Sequence, residues 1–171
     1  LLSQKCKHVT AFELHEHRAQ LIRAYAERMG AEIKVVCRDS SVHEEKYDAA
    51  FDAVLVDAPC SGYGVIGENP DIKFFRKEES LAQLTKTQRA ILAACAPYVR
   101  AGGALYYSTC SLFEEENDGT VGAFLAERPQ FAGQELSCPL AHEHTKFGQQ
   151  FLPHISLGAG FYVCKLKKVS P

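Results

Sequence analysis

The chain has 171 residues, of which 46% are hydrophobic and 23% are charged, which is the size and composition of a globular domain with a substantial core. These values exclude a disordered chain, a collagen and a coiled-coil rod. Lysines and arginines number 19 against 21 aspartates and glutamates, so no overall basic charge indicates a nucleic-acid ligand, and any RNA contact must be local. We expect a cytoplasmic protein with no membrane contact, because no apolar run approaches the roughly 18 residues of a membrane helix and the start lacks the pattern of a signal peptide.

Short apolar runs alternate with longer helical patterns along the chain. In chain order, the sequence predicts a strand at 8–14, a helix through 21–29 that ends at Gly30, strands at 33–37 and 52–56, a helix capped by Ser80 that reaches Cys95, a strand at 104–108 after a Gly102-Gly103 turn, a helix at 112–128 and a closing strand at 160–166. Strands separated by helices are typical of βαβ units. We therefore predict a single α/β domain over residues 1–171, with a doubly wound, mostly parallel sheet.

Acidic side chains stand where three of the predicted strands end. Glu13, Asp39 and Asp57 lie at or just past these ends, and Cys110 follows a fourth strand. Ligands of doubly wound sheets bind at the carboxyl ends of the strands, where an acid can accept hydrogen bonds from a ribose or a base amino group. One such acid is equally well explained as a helix N-cap. Three on successive strands favour a cofactor that contains a nucleoside.

The most informative segment is DAPCSGYG at residues 57–64, which NPDIK follows at 69–73. A predicted strand delivers Asp57 and then Cys60 into a loop that prolines stiffen, and its glycines permit close approach of a ligand to the backbone. The alternative is an irregular surface loop that contains a cysteine by chance. That alternative is weaker, because a surface loop seldom places an acid, a Pro-Cys pair and two glycines so close to the end of a strand.

A second segment places another cysteine at a strand end. STCS at 108–111 is followed by EEEN at 114–117, which opens a predicted helix. A helix N-terminus favours the thiolate form of Cys110 and the glutamates oppose it, so the segment alone also fits a small buried hydrophobic residue. Asn117 is predicted to tie the Cys110 loop to its helix. Because consecutive parallel strands are usually neighbours, we expect Cys60 and Cys110 to face the same cleft.

Neither the cysteines nor the histidines predict a metal site or a disulfide framework. The seven cysteines are an odd number without a CxxC pair, and nothing indicates a secreted protein. The histidine pairs His15 with His17 and His142 with His144 have no cysteine or aspartate at an interval that completes a set of ligands. We therefore expect reduced thiols, solvent-exposed histidines and no bound metal.

Together, the two cysteine segments resemble the RNA cytosine-C5 methyltransferases that use S-adenosyl-L-methionine. The likeness rests on DAPCSGYG with NPDIK, on YYSTCS with EEEN, on FELHEHR at 12–18 and on the closing PHISLGAGFYVCKLKK, and it extends over nearly the whole chain. It is greatest to the bacterial members that methylate small-subunit ribosomal RNA. The resemblance implies a Rossmann-like methyltransferase fold, an S-adenosyl-L-methionine cofactor and a ribosomal RNA substrate.

The family pattern also implies a role for each candidate residue. Cys110 is the nucleophile that adds to C6 of cytosine, and Cys60 assists breakdown of the covalent adduct. Asp57 contacts the amino or N3 edge of the cytosine and lies near the methyl donor. Glu13 accepts hydrogen bonds from the ribose hydroxyls of the cofactor, and Asp39 lies near its adenine amino group.

The resemblance further implies a first strand and a glycine-rich cofactor loop ahead of Leu1. The expectation is therefore an N-terminally truncated catalytic domain whose sheet lacks its first strand and which is inactive by itself. A non-catalytic RNA-binding or scaffold remnant of the same fold is the alternative. A cysteine hydrolase that uses Cys110 is a weaker alternative, because no histidine base stands in a suitable place.

Overall fold

The structure, a computed structural model, describes residues 2–75 and 78–169. The chain divides into two compact units, Leu1–Val42 and His43–Pro171. The single domain over residues 1–171 remains a prediction. Within the described ranges, every helix is too short or too polar to cross a membrane.

The first unit is one βαβ unit. It consists of a short 3-10 turn (Leu2–Gln4), strand β1 (Val9–Glu13), helix α1 (Glu16–Arg28) and strand β2 (Ile33–Cys37). The two strands pair in parallel, from Val9 opposite Ile33 to Glu13 opposite Cys37. Gly30 follows the helix with a φ of +61°, a conformation that glycine adopts without strain, and this confirms the predicted end of the helix.

The second unit contains the remaining helices and strands. These are β3 (Phe51–Asp57), α2 (Ile72–Phe75), α3 (Glu78–Cys95), β4 (Val99–Thr109), α4 (Asp118–Glu127), β5 (Phe131–Gln134), β6 (Glu143–His144), β7 (Gly148–Phe151), α5 (Pro153–Ser156) and β8 (Phe161–Lys168). Single 3-10 turns lie at Glu45–Tyr47, Tyr63–Val65, Ala96–Tyr98 and Glu114–Glu116.

The six strands of this unit form one mixed sheet in the order β3-β4-β8-β7-β6, and β5 also pairs with β8. β3 and β4 are parallel, as predicted, because α3 carries the chain from the end of one strand to the start of the next. β8 runs antiparallel to β4, and the strands beyond it are antiparallel as well. The α/β class and the parallel pairing of β3 with β4 are confirmed, and the short strands β5, β6 and β7 are additions to the predicted set.

The core of the second unit lies mainly on one face of β4, where alternate side chains are fully buried. Its largest fully buried side chains include Tyr107 and Leu105 on β4, Tyr162 and Leu166 on β8 and Leu92 on α3. Tyr107 and Tyr162 meet edge to face, with ring centroids 6.4 Å apart, which is a favourable aromatic geometry. Because β4 is buried along most of its length, the loop that follows it starts from a fixed position.

Three predicted boundaries are wrong. The Gly102-Gly103 pair does not precede β4 but lies within it, where the register shifts so that Phe51 pairs with Val99 and Ala53 with Ala104. The helix predicted at 112–128 is a 3-10 turn followed by α4, because Asn117 interrupts it with a φ of −104° and a ψ of −105°. Helix α3 begins at Glu78, ahead of the predicted cap at Ser80.

Candidate active site

The carboxyl ends of β3 and β4 lie side by side and place three of the predicted site residues in one region. Asp57, the last residue of β3, pairs with Ser108 of β4. The Ser108 hydroxyl donates to Asp57 Oδ1 over 2.9 Å, and the Ala58 amide donates to the Ser108 carbonyl over 2.9 Å. Cys60 and Cys110 follow within three residues of these strand ends, so the parallel pairing brings both cysteines to the same edge.

The two thiols are in direct contact, as the sequence predicts. Cys60 Sγ and Cys110 Sγ are 3.1 Å apart and share a hydrogen bond. Both cysteines are half-buried, and both are free thiols. Cys110 is therefore partly exposed, and its sulfur contacts a second potential proton donor.

Glycine at position 64 permits the close approach of the segments around the thiols. The Gly64 amide donates to the Cys110 carbonyl over 2.9 Å, and the Gly64 carbonyl accepts from the Gly160 amide over 2.7 Å. A Cβ on Gly64 would lie 2.1 Å from the Gly160 carbonyl oxygen and 2.8 Å from that of Cys110. Gly64 thus joins the Cys60 loop, the Cys110 loop and the start of β8.

Burial makes the Cys60 thiol a weak acid. Loss of solvent raises the pKa of Cys60 from its ordinary value of 9.0 to about 12, and the neighbouring Cys110 thiol adds to this effect. Cys60 therefore keeps its proton at neutral pH and can donate it as a hydrogen bond.

A buried carboxyl connects the loops that carry the two cysteines. Glu116 Oε1 accepts from the Ser61 amide over 2.8 Å and from Gln88 Nε2 over 2.9 Å. The Ser111 hydroxyl donates to Glu116 Oε2. Ser61 directly follows Cys60, and Ser111 directly follows Cys110, so one side chain holds both loops.

Asn117 fixes the Cys110 loop from the same turn. Its Oδ1 accepts from the Thr109 hydroxyl over 2.6 Å, and its Nδ2 donates to the Ser111 carbonyl over 3.1 Å and to Gln150 Oε1 over 2.9 Å. These bonds confirm the prediction that Asn117 ties the Cys110 loop to the helix that follows.

Sequence reasoning missed the buried partners Glu116, Gln88 and Gln150. The run EEEN is a signal that acidic side chains follow the second cysteine, but it does not distinguish the buried glutamate from the two exposed ones. Gln88 lies on an amphipathic helix and Gln150 on a strand that the sequence did not predict.

In the first unit, Glu13 and Asp39 lie at or just beyond the carboxyl ends of β1 and β2. Glu13 Oε1 accepts from the His15 amide over 3.0 Å, and its Oε2 lies 3.6 Å from Arg18 Nε. Asp39 Oδ1 accepts from the Ser41 hydroxyl over 2.7 Å and from its amide over 2.8 Å. The Ser41 hydroxyl, followed by its amide, lowers the pKa of Asp39.

This pair of carboxyls fits part of the predicted cofactor. A ribose presents hydroxyl donors and an adenine presents an amino donor, and carboxylate oxygens are acceptors for both. The two carboxyls lie at or just beyond the carboxyl ends of paired parallel strands, which is where such ligands bind in α/β sheets. Among the described residues, no cluster of three or more His, Cys, Asp or Glu side chains could hold a metal ion.

Comparison with known proteins identifies the family. Residues 1–167 match the family described as 16S rRNA methyltransferase RsmB/F. The probable ribosomal RNA small subunit methyltransferase B of Bacillus subtilis is 38% identical, over 94% of this chain and 37% of that protein. The ribosomal RNA small subunit methyltransferase B of Sodalis glossinidius is also 38% identical, over 94% of this chain and 36% of that protein. The chain thus spans a little over a third of the length of these curated relatives.

Solved structures share the fold. The crystal structure of PH0851 superposes with a TM-score of 0.89 and 31% identity, over 94% of this chain and 37% of that one. The structure of NSun6 from Pyrococcus horikoshii with SFG gives a TM-score of 0.79 and 29% identity, over 96% of this chain and 42% of that one. A SAM-dependent O-methyltransferase from Thermotoga maritima, at 15% identity and a TM-score of 0.53, shares the fold alone.

These matches confirm the predicted Rossmann-like methyltransferase fold and the predicted cofactor class. The chain belongs to the RsmB/F family of 16S rRNA methyltransferases.

Proposed function

We propose that this chain carries the catalytic residues of an enzyme that methylates C5 of a cytosine in small-subunit ribosomal RNA. The observation that carries the proposal is the contact of two half-buried thiols, Cys60 and Cys110, at 3.1 Å beside the ends of neighbouring parallel strands. Membership of the RsmB/F family supports the coarser part of the proposal, methylation of ribosomal RNA.

Cys110 is the nucleophile. C5 of cytosine is too weak a nucleophile to take a methyl group directly, and a thiolate that adds to C6 converts C5 into an enamine-like carbon. The bond that forms joins Cys110 Sγ to C6, and the electron pair of the C5–C6 double bond becomes available at C5. Bound S-adenosyl-L-methionine supplies an electrophilic methyl group.

Cys60 assists release of the product. After methylation, the C5 proton passes to solvent water, the C5–H electron pair reforms the C5–C6 double bond, and the Cys110–C6 bond breaks with its electron pair on sulfur. Because the pKa of Cys60 is raised to about 12, this thiol is protonated at neutral pH and can donate a hydrogen bond to the departing sulfur. The 3.1 Å contact between the sulfurs is short enough for this role.

Asp57 orients the base. The Ser108 hydroxyl fixes Asp57 Oδ1, and the carboxyl lies exposed at the end of β3. A carboxylate there can accept from the amino group of cytosine and favour protonation of N3, which makes C6 more electrophilic. Asp57 also contributes to binding of the methyl donor.

Glu13 and Asp39 bind the nucleoside part of the cofactor. Their carboxyl oxygens are suited to the ribose hydroxyls and the adenine amino group, respectively. The target cytosine must be unpaired or rotated out of its stack, because C5 and C6 are inaccessible within a helix. The substrate is thus a single-stranded or locally opened segment of ribosomal RNA, in the cytoplasm.

The test is transfer of a tritiated methyl group from S-adenosyl-L-methionine to small-subunit ribosomal RNA. The chain is assayed by itself and with the upstream strand and glycine-rich loop that the family resemblance implies. Each form is compared with its Cys110→Ala and Cys60→Ala variants, and Cys138→Ala serves as the control. We expect transfer only in the extended form.

Loss of transfer in Cys110→Ala and a covalent RNA adduct that accumulates in Cys60→Ala would support the proposal. An extended protein that binds RNA but transfers no methyl group would favour the scaffold alternative. Full activity of Cys110→Ala would refute the nucleophile assignment.

A further inference from the structure

The Glu116 carboxyl group is bonded to both of the residues that directly follow the cysteines. Its Oε1 accepts from the Ser61 amide, and its Oε2 accepts from the Ser111 hydroxyl. Ser61 and Ser111 hydroxyls also contact each other at 3.2 Å. The two loops are separated by 50 residues in sequence, so this carboxyl is a direct link between distant segments.

The link is rigid because its surroundings hold Glu116 at both ends. The side chain is 0% exposed, and Gln88 Nε2 donates both to its Oε1 and to the Pro59 carbonyl, at 2.9 Å each. The Tyr107 hydroxyl donates to the Glu116 carbonyl over 2.6 Å. Tyr107 is itself fully buried, so neither end of Glu116 can move without disturbing the core.

A carboxylate suits this position better than a neutral side chain. Three donors converge on the two oxygens, and a buried carboxylate is satisfied when several donors surround it. An amide in its place has one oxygen acceptor and an NH2 donor, so the Ser111 hydroxyl would have to change from donor to acceptor and the bond would lose the charge of the carboxylate. The neighbouring Glu114 and Glu115 are exposed, and they do not share this arrangement.

We infer that Glu116 is a positioning residue that sets the distance between the Cys60 and Cys110 sulfurs. Its importance to catalysis rests on the proposed function, because release of the adduct requires the Cys60 thiol to reach the Cys110 sulfur. The geometry itself is independent of that function and can be tested without methyl transfer.

The first test measures the separation of the thiols by cross-linking with dibromobimane, which becomes strongly fluorescent when it bridges two thiols. Cys6, Cys37 and Cys138 are replaced by serine to reduce background, and Cys60→Ala and Cys110→Ala define the zero level. In this background we compare Glu116→Gln and Glu116→Ala with the exposed controls Glu115→Gln and Glu115→Ala.

We expect cross-linking to slow by about tenfold or more in Glu116→Ala, because the two thiols lose their fixed proximity. Glu116→Gln should fall between this variant and the parent, and the Glu115 variants should match the parent. Near-UV circular dichroism checks that each variant is folded. If Glu116→Ala does not fold, the cross-linking rates of Glu116→Gln and Ser111→Ala test the inference in its place. Folded variants that cross-link at the parental rate would overturn the inference.

The second test measures methyl transfer in the extended protein. In Glu116→Gln, we expect kcat to fall by up to about a hundredfold and KM for RNA to stay unchanged, because a fully buried side chain does not touch RNA. If no version transfers methyl groups, the proposed function fails and the cross-linking result still decides the role of Glu116. If the variants keep the parental kcat, the positioning role fails and the proposed function stands.

Discussion

The strand ends of the two units are built in different ways. In the first unit, Glu13 and Asp39 are held by residues two to five positions away, such as Arg18 and Ser41. In the second unit, Asn117 holds the Cys110 loop from nearby, but the Cys60 and Cys110 loops are held to each other by contacts across about 50 residues, such as Ser61 with Glu116. Locally held groups keep their geometry wherever their own turn forms, whereas the thiol pair exists only when the whole second unit is folded.

Gly64→Ala is expected to have the largest effect, because it breaks a long-range contact between backbones. The new Cβ would lie 2.1 Å from the Gly160 carbonyl oxygen, and neither backbone segment can yield without moving the Cys110 loop. We expect the free energy of unfolding to fall by about 3 kcal/mol. Urea denaturation measures this change.

Gly67→Ala is the matched control, because nothing lies within 4 Å of a Cβ at that position. Its unfolding free energy should stay within about 0.5 kcal/mol of the parent. Equal stabilities of the two variants would show that the Gly64 contact does not constrain the thiol edge.

Asn117→Ala is expected to have the second largest effect. It removes the buried bonds to Thr109, Ser111 and Gln150 and leaves their polar groups without this partner. The unfolding free energy should fall by about 2 to 3 kcal/mol, measured by urea denaturation. Asn69→Ala, which loses one exposed contact of 3.4 Å, is the control and should change stability by less than about 0.5 kcal/mol.

The same contrast explains what the sequence could predict. The βαβ pattern of the first unit and the ends of β3 and β4 follow from local periodicity, and they place Asp57, Cys60 and Cys110 together. The partners Glu116 and Gln88 could not be predicted, because burial of the last of three consecutive glutamates depends on the 3-10 turn at Glu114–Glu116 and on the packing of α3.

The polar strands β5 to β7 escaped prediction for a related reason. Segments such as GQQF at Gly148–Phe151 and EH at Glu143–His144 lack apolar alternation, and they become strands through pairing with β8 and with each other. Glycine at position 148 also suits a close approach, since a Cβ there would lie 2.5 Å from the Val163 carbonyl oxygen. Tertiary pairing therefore decided the structure where the local pattern did not.

A smaller effect on the free energy of unfolding is expected from a rise in pH, through the buried Cys60 thiol of the second unit. Folding raises the pKa of Cys60 from 9.0 to about 12 through burial, so between these values the folded state keeps a proton that the unfolded state loses. The stabilisation from this thiol is complete below about pH 9 and is lost as pH rises toward about 12.

Urea denaturation at roughly pH 8 and pH 10.5 measures the change. Cys60→Ser should lessen the loss of stability between these values, and the exposed Cys6→Ser should not. Part of the loss should remain, because burial also raises the pKa of Cys164 to about 12. An unchanged pH dependence in Cys60→Ser would contradict the raised pKa of Cys60.

The smallest effect is expected from Ser41→Ala, which tests the local construction of the first unit. The substitution removes the hydroxyl that donates to Asp39 and keeps the amide that also donates, so the pKa of Asp39 should rise part of the way toward its ordinary value of 3.8. A lowered carboxyl pKa stabilises the fold above its unfolded value, and this stabilisation is lost as pH falls below about 3.8. The difference in the free energy of unfolding between Ser41→Ala and the parent should therefore diminish in acid.

NMR titration of the Asp39 carboxyl measures the shift in its pKa, and Ser41→Thr, which keeps a hydroxyl, should retain the parental pKa. Because the contact is local, dibromobimane cross-linking of Cys60 to Cys110 should be the same in Ser41→Ala as in the parent, and slower cross-linking would contradict the separation of the two regions.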